Sequence, residues 1–105
     1  MEVTAEHDSG GICRIQAQGH TGYSDPGTDI VCAAVSALVQ ALGVGFGDVL
    51  RLEGVRIERD RENALISYEW DSSVAEAQCI ARTILLSLKA VAESYPEFVA
   101  VREFF

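Results

Sequence analysis

Eighteen consecutive residues, Ile30 to Gly47, carry no charge, and that run constrains the fold more than any other feature. Eighteen is the borderline length for a membrane-spanning helix. Ser36, Gln40 and three glycines interrupt the run, however, four alanines dilute its hydrophobicity, and Asp29 and Asp48 bracket it. A helix inside a soluble domain fits these residues better, roughly Asp29 to Val44, apolar nearly all round and so covered on most sides. No membrane contact is expected. A chain of 105 residues is one domain's worth. Such a domain buries roughly two-thirds of its unfolded surface, so any active site is built at its edge from few residues.

The segments around this helix alternate with period two. Val3, Ala5 and His7 lead to the turn Asp8-Ser9-Gly10-Gly11. Cys13, Ile15 and Ala17 then share one face of a second strand, with Arg14, Gln16 and Gln18 on the other. Residues 20–28, HTGYSDPGT, read as a loop. After the helix, Leu50, Leu52, Val55 and Ile57 suggest a strand broken near Gly54. Asp60 to Asn63 turns, and Ala64, Ile66, Tyr68 and Trp70 alternate as its partner. Ser73 and Glu76 have the spacing of a capping box, opening a helix to about Ser94 with the stripe Ala77, Ile80, Ile84, Leu88 and Val91. Phe98 to Phe104 closes the chain as a strand. The order ββα-ββα-β predicts an α+β domain, most simply an antiparallel sheet with two helices packed on one face.

Sixteen acidic against eight basic residues give a net charge of −8, which argues against direct binding of nucleic acid through its phosphates. It suits a basic or neutral partner, or serves solubility alone. Arg51, Arg56, Arg59 and Arg61 interleave with Glu53, Glu58, Asp60 and Glu62, the pattern of a solvated strand face. Cys13, Cys32 and Cys79 cannot all pair within one chain and show no disulfide spacing, so reduced thiols are expected. The start MEVTAEHDSG lacks the basic and apolar regions of a signal peptide, which points to the cytoplasm.

Most of the residues with a chemical reading lie between Gly19 and Ser36, GHTGYSDPGTDIVCAAVS. With Thr28 or Asp29 as N-cap, Cys32 is the third or fourth helical residue, near the free amides and the positive dipole end that favour a thiolate. Taken alone, it reads more readily as a small apolar residue in a buried helix, the usual place of a free cysteine. His20 has the parity of the polar strand face and opens the loop. It is either the base paired with Cys32 or a solvent-facing turn residue. Asp29 either orients His20 or caps the helix. Ser36, one turn beyond Cys32, either reaches the site or bonds back to the Cys32 carbonyl. Gly22 and Gly27 permit a mobile lid or are simple turn residues. One histidine, one cysteine and one aspartate fall short of a structural zinc set, and no phosphate or dinucleotide fingerprint exists, so no metal or cofactor is expected.

Gly19-His20, then Gly22-Tyr23, Gly27, and Asp29-Ile30-Val31-Cys32-Ala33-Ala34-Val35-Ser36 closely resemble the ribosomal-processing cysteine protease family, Prp. Chain length and element order agree throughout; outside the motif the similarity is one of pattern. The resemblance implies a small dimeric bacterial enzyme, a homodimer in the cytoplasm. Such an enzyme removes an N-terminal extension from large-subunit ribosomal protein twenty-seven, cutting after a phenylalanine. It puts the nucleophile on Cys32 and the histidine on His20, with Asp29 and Ser36 in support. Residues 21–28, including Gly22, Tyr23 and Gly27, would form a segment over the site. The alternative is a non-enzymatic module binding a ribosomal or other basic protein, with Cys32 merely core.

Overall fold

The computed structural model describes residues 1–19 and 26–105, and residues 26–29 by their backbone alone. His20, Gly22 and Tyr23 therefore lie outside the described residues. Strands β1 (Glu2–Asp8) and β2 (Gly11–Gln18) pair antiparallel where the apolar alternation predicts them. Their turn is closed by Asp8, whose carboxylate accepts the Gly10 N–H at 2.9 Å, and by Gly11 at φ +123°. The register slips between Glu6 and His7, so that Cys13 becomes the extra residue of a bulge. The slip turns Ile12 into the core and moves Cys13 off the apolar face on which simple alternation placed it.

Helix α1 (Pro26–Gly43) starts three residues earlier than its sequence signals suggest. Proline is favoured at the first helical position because it lacks the N–H that would go unpaired there. Pro26, Gly27 and Thr28 are thus helical rather than loop. Asp29 is the fourth helical residue, not an N-cap. Beyond Gly43 the chain stays helical but widens into a π-helical segment, Val44–Val49, with Leu50 N–H bonded to the Gly45 carbonyl at 2.9 Å. Two glycines fit it against its neighbours. A Cβ on Gly45 would lie 2.9 Å from Ile80 Cγ2, and one on Gly43 would lie 3.1 Å from the Tyr68 hydroxyl.

This segment takes up the residues after the helix, so β3 is shorter than the strand suggested from Leu50 onward. It runs Arg56–Asp60 and pairs antiparallel with β4 (Leu65–Glu69), while Leu50, Leu52 and Val55 pack against the core from an irregular stretch. Helix α2 (Ala75–Ser94) follows. The expected capping box is not formed: Val74 is the N-cap, and the Ser73 hydroxyl donates to Asp71 Oδ1 at 2.7 Å instead. That turn competes with the cap for the same hydroxyl.

Strand β5 (Ala100–Phe104) completes a sheet of order β3-β4-β2-β1-β5. The α+β class with both helices on one face holds. The sheet is mixed rather than wholly antiparallel, because β5 runs parallel to β1. Entering beside β1 after α2 makes β5 the return arm of a helical crossover, which parallel neighbours require. Val3, Ala5, Ile15, Ala17 and Tyr68 supply the sheet side of the core. Val31, Val35, Val39, Leu42 and Phe46 cover it from the α1 side, and Ala77, Ala81, Leu85 and Leu88 from α2.

Candidate active site

Helical spacing sorts the long uncharged run into three stripes. Val31, Val35, Val39, Leu42 and Phe46, no more than 1% exposed, face the sheet. Ile30, Ala33, Ala37 and Val44 recur on the opposite side and are exposed, Ile30 at 67% and Val44 at 55%. The expectation that α1 is covered on most sides is therefore not met within one chain. The segment Ile30–Val49 has the length and hydropathy of a membrane span, yet only 33% of it is buried.

Between these faces runs the third stripe: Cys32, Ser36 and Gln40, each four residues from the last. It forms one wall of a cleft of about 320 Å³. Leu65 and Ile66 of β4 line it, together with Arg59, Asp60, Arg61 and Ala64 from the end of β3 and the turn after it, and with Met1 and Gly19. The sulfur-bearing residue is thus half-buried at the mouth of a groove rather than enclosed in the core. A larger depression, about 550 Å³, lies against the polar sheet face around Thr4, Gln16 and Gln18 and has no cysteine among the described residues of its lining.

Gly19, the last described residue before His20, reaches this cleft. Its N–H donates to the Ala64 carbonyl at 3.1 Å, and its φ of +98° is open to glycine at little cost. Ala64 holds a left-handed conformation, φ +48°, that closes the β3–β4 turn. Gly19 lines the groove with Cys32, and His20 is the next residue in the chain. Cys32 itself is the seventh residue of α1. A helix leaves only its first-turn amides unpaired, so the expectation that Cys32 sits among free N–H donors is corrected.

Two electrostatic details complete the cleft. Asp60 Oδ1 accepts the backbone N–H of Glu62 at 3.0 Å and Oδ2 accepts from the Asn63 amide at 2.6 Å. Those bonds, the Asn63 side chain first, hold its carboxyl below the usual 3.8. Arg59 Nη2 donates to the Tyr68 hydroxyl at 3.3 Å. Arg59 and Arg61 were legible only as part of a solvated face, since sequence spacing does not show that the β3–β4 turn lies across from Cys32. The four-residue step from Cys32 through Ser36 does point to Gln40. Among the described residues no group of three or more His, Cys, Asp or Glu is arranged to hold a metal.

A sequence model of the family described as cysteine protease Prp matches residues 1–100. The ribosomal-processing cysteine protease Prp of Staphylococcus aureus is 32% identical over 103 residues, covering 92% of this chain and 91% of the relative. The protein of that name from Mycoplasma pneumoniae is 28% identical over 105 residues, covering 98% and 94%. A crystal structure of the S. aureus protease with a covalently linked product peptide superposes with a TM-score of 0.81 at 28% identity, covering 97% of each chain. A structure from Streptococcus mutans gives 0.88 at 26% identity, covering 98% of this chain and 92% of that one.

Proposed function

The chain belongs to the Prp family of cysteine proteases, and on that premise we propose that Cys32 is its nucleophile, His20 its general base and acid, and the cleft beside them its peptide groove. The observation that carries this reading is the lining of one groove by both Cys32 and Gly19, the residue bonded to His20. Successive α-carbons are 3.8 Å apart, so the imidazole starts one residue from the groove.

His20 takes the Cys32 proton and the sulfur attacks the scissile carbonyl. The tetrahedral intermediate collapses to a thioester as His20 protonates the leaving amine, and water then hydrolyses the acyl-enzyme. The unpaired amides at the opening of α1, residues 27–29, are the natural oxyanion donors, Pro26 having none. Asp29, the fourth residue of α1, supports His20. Ser36 supports the site from the groove wall. Gly22 and Tyr23, together with the helical Gly27, belong to the segment that covers the bound peptide.

The substrate we propose is the N-terminal extension of large-subunit ribosomal protein twenty-seven, cut after a phenylalanine, in the cytoplasm. The S. aureus relative, solved with a substrate peptide, supports a peptide in the groove. A charge of −8 favours a substrate with a cationic body. A second copy of the chain covers the exposed stripe of α1, making a homodimer. An apolar helix face directly opposite the core has no other cover among the described residues. Cleavage of a peptide spanning the proposed junction, lost in Cys32→Ala, tests the assignment.

A further inference from the structure

The groove is chemically lopsided. Its floor is apolar, Leu65 and Ile66, and its α1 wall is neutral beyond Cys32, with Ser36 and Gln40. The opposite wall carries two guanidinium groups, Arg59 and Arg61. The Asp60 carboxylate between them is held by Glu62 and Asn63 inside the turn and offsets one of the two charges, so the guanidinium groups outnumber it by one. Arg59 Nη2 donates to the Tyr68 hydroxyl at 3.3 Å, one of its five N–H donors, and the residue lines the groove. In a chain with twice as many acidic as basic residues, the lining of this groove instead holds two guanidinium groups to one carboxylate.

We infer that Arg59 and Arg61 are specificity-determining residues that read an acidic side chain of the peptide, close to the scissile bond. The inference rests on the assignment of this groove to the peptide. A carboxylate is the group that matches a guanidinium fork in charge and geometry. A glutamine at the same peptide position keeps the shape and loses the charge, and a lysine reverses it. The groove therefore ranks the three Glu above Gln above Lys.

The experiment uses the Cys32→Ala protein and fluorescein-labelled ten-residue peptides spanning the proposed junction. Glu, Gln or Lys is placed in turn at each position flanking the scissile bond, and affinity is read by fluorescence polarisation. At one position Glu is expected to bind about fivefold or more tightly than Gln, a contrast that shrinks as salt is raised. Introducing Arg59→Gln with Arg61→Gln is expected to bring that ratio to one. Arg61→Gln alone, at an exposed turn position, is expected to lower it without disturbing Tyr68. Equal affinities for all peptides, no binding by any, or a Glu preference that survives both substitutions would overturn the inference. Failure of the protease assignment reads differently: the unmutated protein leaves every peptide uncut while the Cys32→Ala protein still prefers Glu.

Discussion

The Gly19 N–H and the Ala64 carbonyl meet at 3.1 Å, joining the end of β2 to the turn that opens β4 on the rim of the groove that holds Cys32. This hydrogen bond ties Gly19, the last described residue before His20, to the β3–β4 turn. It uses a glycine and an alanine, both with positive φ, so the tie rests on backbone geometry rather than on a side chain. Alanine pays for that conformation. Replacing Ala64 with glycine is expected to stabilise the fold by about 0.5–1 kcal/mol, with the Gly19 bond intact. Urea unfolding of the two proteins measures it.

The three thiols should separate in reactivity. Cys13 is half-buried in its bulge and donates to the Glu6 carbonyl at 3.3 Å. Burial first, then the carboxylates of Asp8, Glu6 and Glu69, push its thiol above the ordinary 9.0. Iodoacetamide at neutral pH is therefore expected to label Cys13 last. On the proposed mechanism Cys32 is labelled ahead of Cys79, although Cys79 is the more exposed, and His20→Ala removes that lead. Peptide mapping of a time course reads the order.

At the far edge of the sheet, Glu103 accepts from Lys89 Nζ at 2.6 Å and contacts His7 Nε2 at 3.0 Å. The Lys89 ammonium holds the Glu103 carboxyl below its ordinary 4.5; partial burial opposes this and the His7 contact adds to it. A carboxyl depressed in the folded state stabilises the fold above its unfolded pKa, and that contribution is lost as pH falls through the folded value. Glu103→Gln is expected to cost about 0.5–1 kcal/mol at pH 7, a gap that closes as pH falls through the depressed range in which the folded carboxyl takes up its proton. Denaturant midpoints across that range test the sign.

Gly45 lies against Ile80 with no room for a methyl group. Gly45→Ala is expected to destabilise by about 1–3 kcal/mol through overpacking. Ile80→Ala removes the obstructing carbons, so the double variant should cost less than the two single losses added.

The hairpins and both helices were legible because their apolar residues recur at periods of 2 and 3.6, and burial follows those periods at Ile15, Ala17, Val31, Val35, Ile84 and Leu88. The start of α1 was not, because Thr28 and Asp29 look like caps while Pro26 does the starting. The π-helical segment was hidden because Leu50 and Leu52 have strand spacing, yet the chain is still turning where Gly45 meets α2. The parallel placement of β5 depends on the α2 crossover and leaves no mark in Ala100–Phe104. In the site, Cys32 and Ser36 were legible from their shared helix face. Arg59 and Arg61 were not, because only the tertiary fold carries the β3–β4 turn across from them.

The exposed stripe of α1 predicts the oligomeric state. Sedimentation equilibrium should give a dimer, and Val44→Glu, on the side of the helix away from the core, should shift it to monomer by burying an unpaired charge.

The most direct measurement is cleavage of a peptide spanning the proposed ribosomal-protein junction by the unmutated, Cys32→Ala and His20→Ala proteins, with products identified by mass. The expected result is a single cut after phenylalanine by the unmutated protein and a loss of at least about a thousandfold in kcat/KM in each variant. Cleavage by Cys32→Ala at the unmutated rate would contradict the account.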